Sequence, residues 1–131
     1  MFDDDWINPF DPLNEQWLAE MAKVGKLDNE YDVVIWPKDN GEIPHFHIWD
    51  SNTRGDKFHT CIKIEKPEYF HHTGKENILN SKMKKELVKF LNSSYKGSNM
   101  TNWQMLVGYW NDNESKHNVD ENQPMPNYMN L

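Results

Sequence analysis

Between Pro44 and Glu65 the chain twice shows the period of two that marks a half-buried β-strand, and this constrains its fold more than any other feature. From Lys57 to Glu65, Phe58, Thr60, Ile62 and Ile64 share one face, while His59, Cys61, Lys63 and Glu65 share the other. The first set is the core side. From Pro44 to Asp50, Phe46 and Ile48 form the matching core set and oppose His45, His47 and Trp49. Both histidines of one strand therefore share a face with His59 and Cys61 of the next.

The remaining elements follow from their periods and boundaries. Tyr31 to Trp36 is a β-branched and aromatic run stopped by Pro37 and the turn sequence Lys38-Asp39-Asn40-Gly41. Three consecutive runs at this spacing predict an antiparallel meander. Asp11-Pro12 suits the start of a helix and Val24-Gly25 its end, with Leu13, Trp17, Leu18, Met21 and Val24 as the apolar stripe. A second helix starts near Ser81, turning Met83, Leu87, Phe90 and Leu91 inward and Lys82, Lys85 and Lys89 outward. A third, from about Thr101, aligns Trp103, Leu106, Val107 and Trp110. The expected fold is α+β, a three-stranded meander (about 31–36, 44–50 and 57–65) packed by three helices (about 12–24, 81–91 and 101–111). Residues 1–131 form one domain, with 1–10 as an acidic aromatic segment and 112–131 as an extended polar tail.

Composition narrows the class of function. A length of 131 residues suits one core, and six Trp, five Tyr and six Phe supply large side chains for it. With Cys61 alone no internal disulfide can form. Nothing reads as a signal peptide or membrane span, so the cytoplasm of a bacterial host cell is the expected location. The net charge of -7 is concentrated at the two ends, leaving the middle mildly basic. With Arg54 as the one arginine, the chain is poorly suited to duplex nucleic acid, whose recognition relies on clustered Arg and Lys. The Lys82, Lys85 and Lys89 row reads most simply as a solvated helix face.

The candidate chemistry lies on the histidine face. His45 and His47, two residues apart on a strand, are close enough for one metal ion, and His59 or Cys61 of the next strand can complete a set with them. His71, His72, Asp50 and Glu65 are further donors. A transition metal such as zinc is the cofactor such a set would take. The competing reading is that the histidines simply pack as amphipathic sheet residues. No complete catalytic constellation is present: there is no His-Glu-x-x-His, Cys-x-x-Cys, phosphate-binding glycine loop or nucleophile elbow. At the N-terminus, Asp3, Asp4, Asp5 and Trp6 offer an acidic, aromatic segment for docking on a protein partner.

The order Val33-Val34-Ile35-Trp36-Pro37, Pro44-His45-Phe46-His47, Cys61-Ile62-Lys63-Ile64, Thr101-Asn102-Trp103 and Pro124-Met125-Pro126-Asn127-Tyr128 resembles uncharacterised small proteins of bacterial phages and mobile elements. It is also distantly similar to a bacterial domain-of-unknown-function family marked by Pro-Pro-His-x-His, although Ile43 replaces its first proline. The resemblance implies a context and no reaction. The first expectation is thus a small non-enzymatic interaction protein that binds a bacterial or phage protein. The alternative is a metal-binding module or metal-dependent enzyme using His45 and His47. The third is a nucleic-acid-binding accessory protein using the lysine face.

Overall fold

The structure is a computed structural model that describes residues 21–36, 43–71, 74–112 and 117–131. Four strands, β1 (Ala22–Leu27), β2 (Tyr31–Ile35), β3 (His45–Asp50) and β4 (His59–Lys63), form one antiparallel sheet in the order β1-β2-β3-β4. Two helices follow, α1 (Ser81–Asn92) and α2 (Asn102–Asp112), and a short 3-10 turn, Tyr128–Asn130, ends the chain. The expected three strands and three helices are corrected to four strands and, among the described residues, two helices.

The added strand occupies the end of the expected first helix. Residues 12–20 of that helix lie outside the described residues, but Val24, its last stripe position, is in β1. Two local features make this segment β. Asp28 and Asn29 take φ values of 51° and 56°, as both central positions of a type I′ turn require, and Glu30 N–H donates to the Leu27 carbonyl at 3.0 Å. Short polar side chains tolerate that backbone. In addition, Lys23 pairs with Val34 and Gly25 with Val33, leaving Val24 as the extra residue of a β-bulge. The bulge lets Val24 and Leu27 reach the same core although they are three residues apart. That spacing imitates a helix.

One face of the sheet carries Val33, Ile35, Phe46, Ile48, Ile62 and Ile64 into a core completed by the helices and the C-terminal segment. Asn80 caps α1, its side chain accepting from Met83 N–H at 2.9 Å, and Leu87 and Leu91 point inward. Each such buried leucine contributes about 2 kcal/mol. A capping box starts α2: the Thr101 hydroxyl accepts from Gln104 N–H, and the Gln104 side chain accepts from Thr101 N–H. Trp103, Leu106, Val107 and Trp110 are all buried, as their single stripe predicts.

Residues 117–131, expected as an extended polar tail, pack along the domain. Asn111 exchanges two hydrogen bonds with the Val119 backbone, and the Tyr128 hydroxyl donates to the carbonyls of Lys63 and Ile64. Val119 and Tyr128 both belong to the core. Asn and Gln side chains supply the backbone partners that an irregular segment needs in order to be buried.

Both sheet edges are managed. On the β1 side the edge is bulged and presents exposed Lys23 and Lys26. On the β4 side the returning chain supplies partners: Lys63 N–H donates to the Glu68 carbonyl, Phe70 N–H to Cys61, and Asn77 N–H to His59. The Asn77 side chain also accepts from His59 N–H at 3.0 Å.

Candidate metal centre

The second sheet face is also buried, and it carries the histidines. Opposite one another across β3 and β4 are His47 and Cys61, then Trp49 and His59, then His45 and Lys63. Because the backbone groups of His59, Cys61 and Lys63 bond outward to the returning chain, these are the non-hydrogen-bonded pairs of the ladder. Their side chains stand closer together than those of the alternate pairs. His59 lies diagonal to His47, still within reach of a long side chain.

Three donor atoms converge as a result. His47 Nδ1 lies 3.0 Å from His59 Nε2 and 3.1 Å from Cys61 Sγ, and Cys61 Sγ lies 3.3 Å from His59 Nε2. Cys61, His47 and His59 are 0%, 1% and 7% exposed. The three atoms stand close enough together for one ion to reach all of them at the roughly 2.0–2.3 Å of zinc–nitrogen and zinc–sulfur bonds. The group could hold a metal ion.

Proton chemistry fits this triangle less well. Each imidazole nitrogen has a single in-plane position, filled either by a proton or by a lone pair. Protons can therefore satisfy two of the three contacts, and the third brings like groups together. A cation between the three atoms could engage all of them.

Aromatic rings wall the group. The Trp36 ring meets His47 edge-on at 4.5 Å and Trp49 at 4.9 Å, and the two imidazoles stack at 5.3 Å with a 19° tilt. Farther along the same face, the Asp32 carboxylate accepts from Trp49 Nε1 at 3.2 Å and from the Ser51 hydroxyl at 2.9 Å. Lys23 and Lys26 approach it at 3.5 and 3.9 Å.

The other candidate residues are placed elsewhere. His45 lies beside the triangle, outside the converging set: its Nδ1 bonds the Ile43 carbonyl at 2.8 Å, and its ring packs against Phe70 and His47. One rung along the ladder, opposite Lys63, it directs its Nδ1 to the Ile43 carbonyl and is not part of the converging set. His71 pairs with Glu76 at 3.6 Å, Glu65 with His117 at 2.9 Å, and Asp50 closes the β3–β4 loop. His72, Asp3, Asp4, Asp5 and Trp6 lie outside the described residues. Lys82, Lys85 and Lys89 are exposed on α1.

Two contributors escaped the sequence reading. Trp36 was legible, since Asp32, Val34 and Trp36 alternate onto the histidine face. Asn77, which brackets the His59 backbone from both sides, carries no local signal. Among the described residues, no helix is long and apolar enough to cross a membrane. No protein-family model, curated protein or solved structure matches this chain, so the geometry of the site carries the functional reading.

Proposed function

We propose that this protein is a metal-binding domain in which His47, His59 and Cys61 hold one borderline or soft transition-metal ion of the zinc and copper class. The observation that carries the reading is the mutual approach of three buried donor atoms, two imidazole nitrogens and one sulfur, to within 3.3 Å. Thiolate and imidazole donors select such ions over magnesium or calcium, which prefer oxygen. His45 has the role of a packing neighbour that buttresses the His47 ring.

Elemental analysis of protein purified without an affinity tag is the test. About one equivalent of metal is expected in the wild type, falling to background in His47→Ala and Cys61→Ser. His45→Ala should retain it. Chelation should also lower the unfolding temperature, because a ligand that binds only the folded state stabilises it. A metal content that is substoichiometric and indifferent to all three substitutions would remove the basis for the reading.

A further inference from the structure

We infer that Asn77 is a positioning residue that sets the affinity of the metal site, by holding the His59 backbone so that its imidazole stands at the other two donors; the inference rests on the reading of His47, His59 and Cys61 as a metal site. His47 lies within β3, paired on one side with β2 and on the other with β4. His59, in contrast, is the first residue of β4, and its pairing with Trp49 turns both its N–H and its carbonyl away from β3. Asn77 meets both groups. Its own N–H donates to the His59 carbonyl at 2.7 Å, and its side-chain oxygen accepts from the His59 N–H at 3.0 Å. Peptide units are planar and rigid, so gripping the two that flank His59 also fixes the Cα from which the imidazole projects.

The hold on His59 belongs to Asn77 itself and does not come from the ladder continuing. Phe70 N–H donates to the Cys61 carbonyl. A regular antiparallel pairing advances one residue on the returning chain for each on β4, yet between Cys61 and His59 the contact passes from Phe70 to Asn77. Metal ligands work only when held within about 0.5 Å of their bonding positions, and the groups that hold them tune affinity without touching the ion. Asn77 is exposed, so replacing its side chain leaves no hole in the core. Alanine removes the acceptor oxygen and keeps the backbone donor.

The experiment compares the full-length wild type with Asn77→Ala, Asn77→Asp and Asn111→Ala. Each is stripped of metal, kept reduced, and titrated against a competing chelator with zinc(II), or with copper(I) where the wild type does not retain zinc. Asn77→Ala is expected to bind metal about 10-fold more weakly, the lower end of the range for groups that orient a ligand. Asn77→Asp retains the acceptor oxygen and should bind as the wild type does. Asn111 exchanges the same kind of paired bonds with the Val119 backbone, so it controls for a merely structural loss. Asn111→Ala should lower the unfolding temperature and leave metal affinity unchanged. Unchanged affinity in Asn77→Ala, an equal loss in Asn77→Asp, or an equal loss in Asn111→Ala would overturn the inference and leave the metal-site reading standing. A wild type that holds neither ion would overturn both. Amide hydrogen exchange on the wild type decides even if Asn77→Ala does not fold, because coupling between two sites is reciprocal. Metal should protect the His59 amide more than the Val119 amide, which also donates to an asparagine side chain. Equal protection of the two would overturn the inference.

Discussion

Asp50 ends β3, and its carboxylate organises the loop that brings His59 and Cys61 back toward His47. It accepts from the N–H groups of Thr53 and Phe58 at 2.9 and 3.0 Å and from the Thr53 hydroxyl. Burial alone would raise its pKa, but the Thr53 hydroxyl and the backbone bonds from Phe58, Thr53 and Lys57 together hold it below the ordinary 3.8. A carboxyl whose folded pKa is depressed adds stability that is complete above the unfolded value and is lost as pH falls through the folded one. Asp50→Asn is therefore expected to cost about 1 kcal/mol at neutral pH, a figure kept small because the group is only partly buried and solvent screens its charge. The gap between variant and wild type should narrow below pH 3.8. Urea unfolding at pH 7 and again well below that value checks it; a gap of equal size at both would show that the charge is not involved.

At the scale of elements, β1 packs closely enough on α1 for a single added methyl group to disturb it. Its bulge brings Gly25 against α1, where an added Cβ would lie 2.6 Å from Phe90 Cζ and 2.7 Å from Cε1. The Phe90 ring must then move or the strand must lift. Gly25→Ala is expected to destabilise the protein by about 1–3 kcal/mol, the range for overpacking. In a Phe90→Leu background, which removes the clashing atoms, the same substitution should cost measurably less. A double-mutant cycle by thermal or chemical unfolding measures the coupling. Strict additivity would mean that the clash is absorbed elsewhere.

For the molecule as a whole, the C-terminal segment joins the end of β4 to α1 and α2. Tyr128 is its anchor, packing its ring near Phe46 and Trp103 and donating its hydroxyl to the Lys63 and Ile64 carbonyls. Burial raises its pKa well above the ordinary 10. Such a group contributes stability that is present below the unfolded pKa and is lost as pH rises toward the folded one. Tyr128→Phe should cost about 1–2 kcal/mol at pH 7 through the two unfilled carbonyls. The deficit relative to wild type should shrink above pH 10, where the unfolded wild-type chain ionises at this tyrosine. Unfolding followed at neutral and alkaline pH reads both effects, and a deficit that persists unchanged would argue that the phenol is not the group responsible.

Local periodicity by itself determined which side chains share a face. His47, His59 and Cys61 were assignable to one side of the sheet because a strand alternates with period two whatever its partners are. The helices at 81–92 and 102–112 were legible for the same reason, their stripes recurring at 3.6. Tertiary structure alone decided the register of β3 against β4, which sets His47 opposite Cys61 and leaves His45 opposite Lys63. It also decided the bulge at Val24, where a strand takes on a helix-like spacing, and the docking of residues 117–131 through buried Val119 and Tyr128. Register, bulges and docking depend on partners distant along the chain, and a one-dimensional pattern of hydrophobicity does not encode which partner a strand will meet.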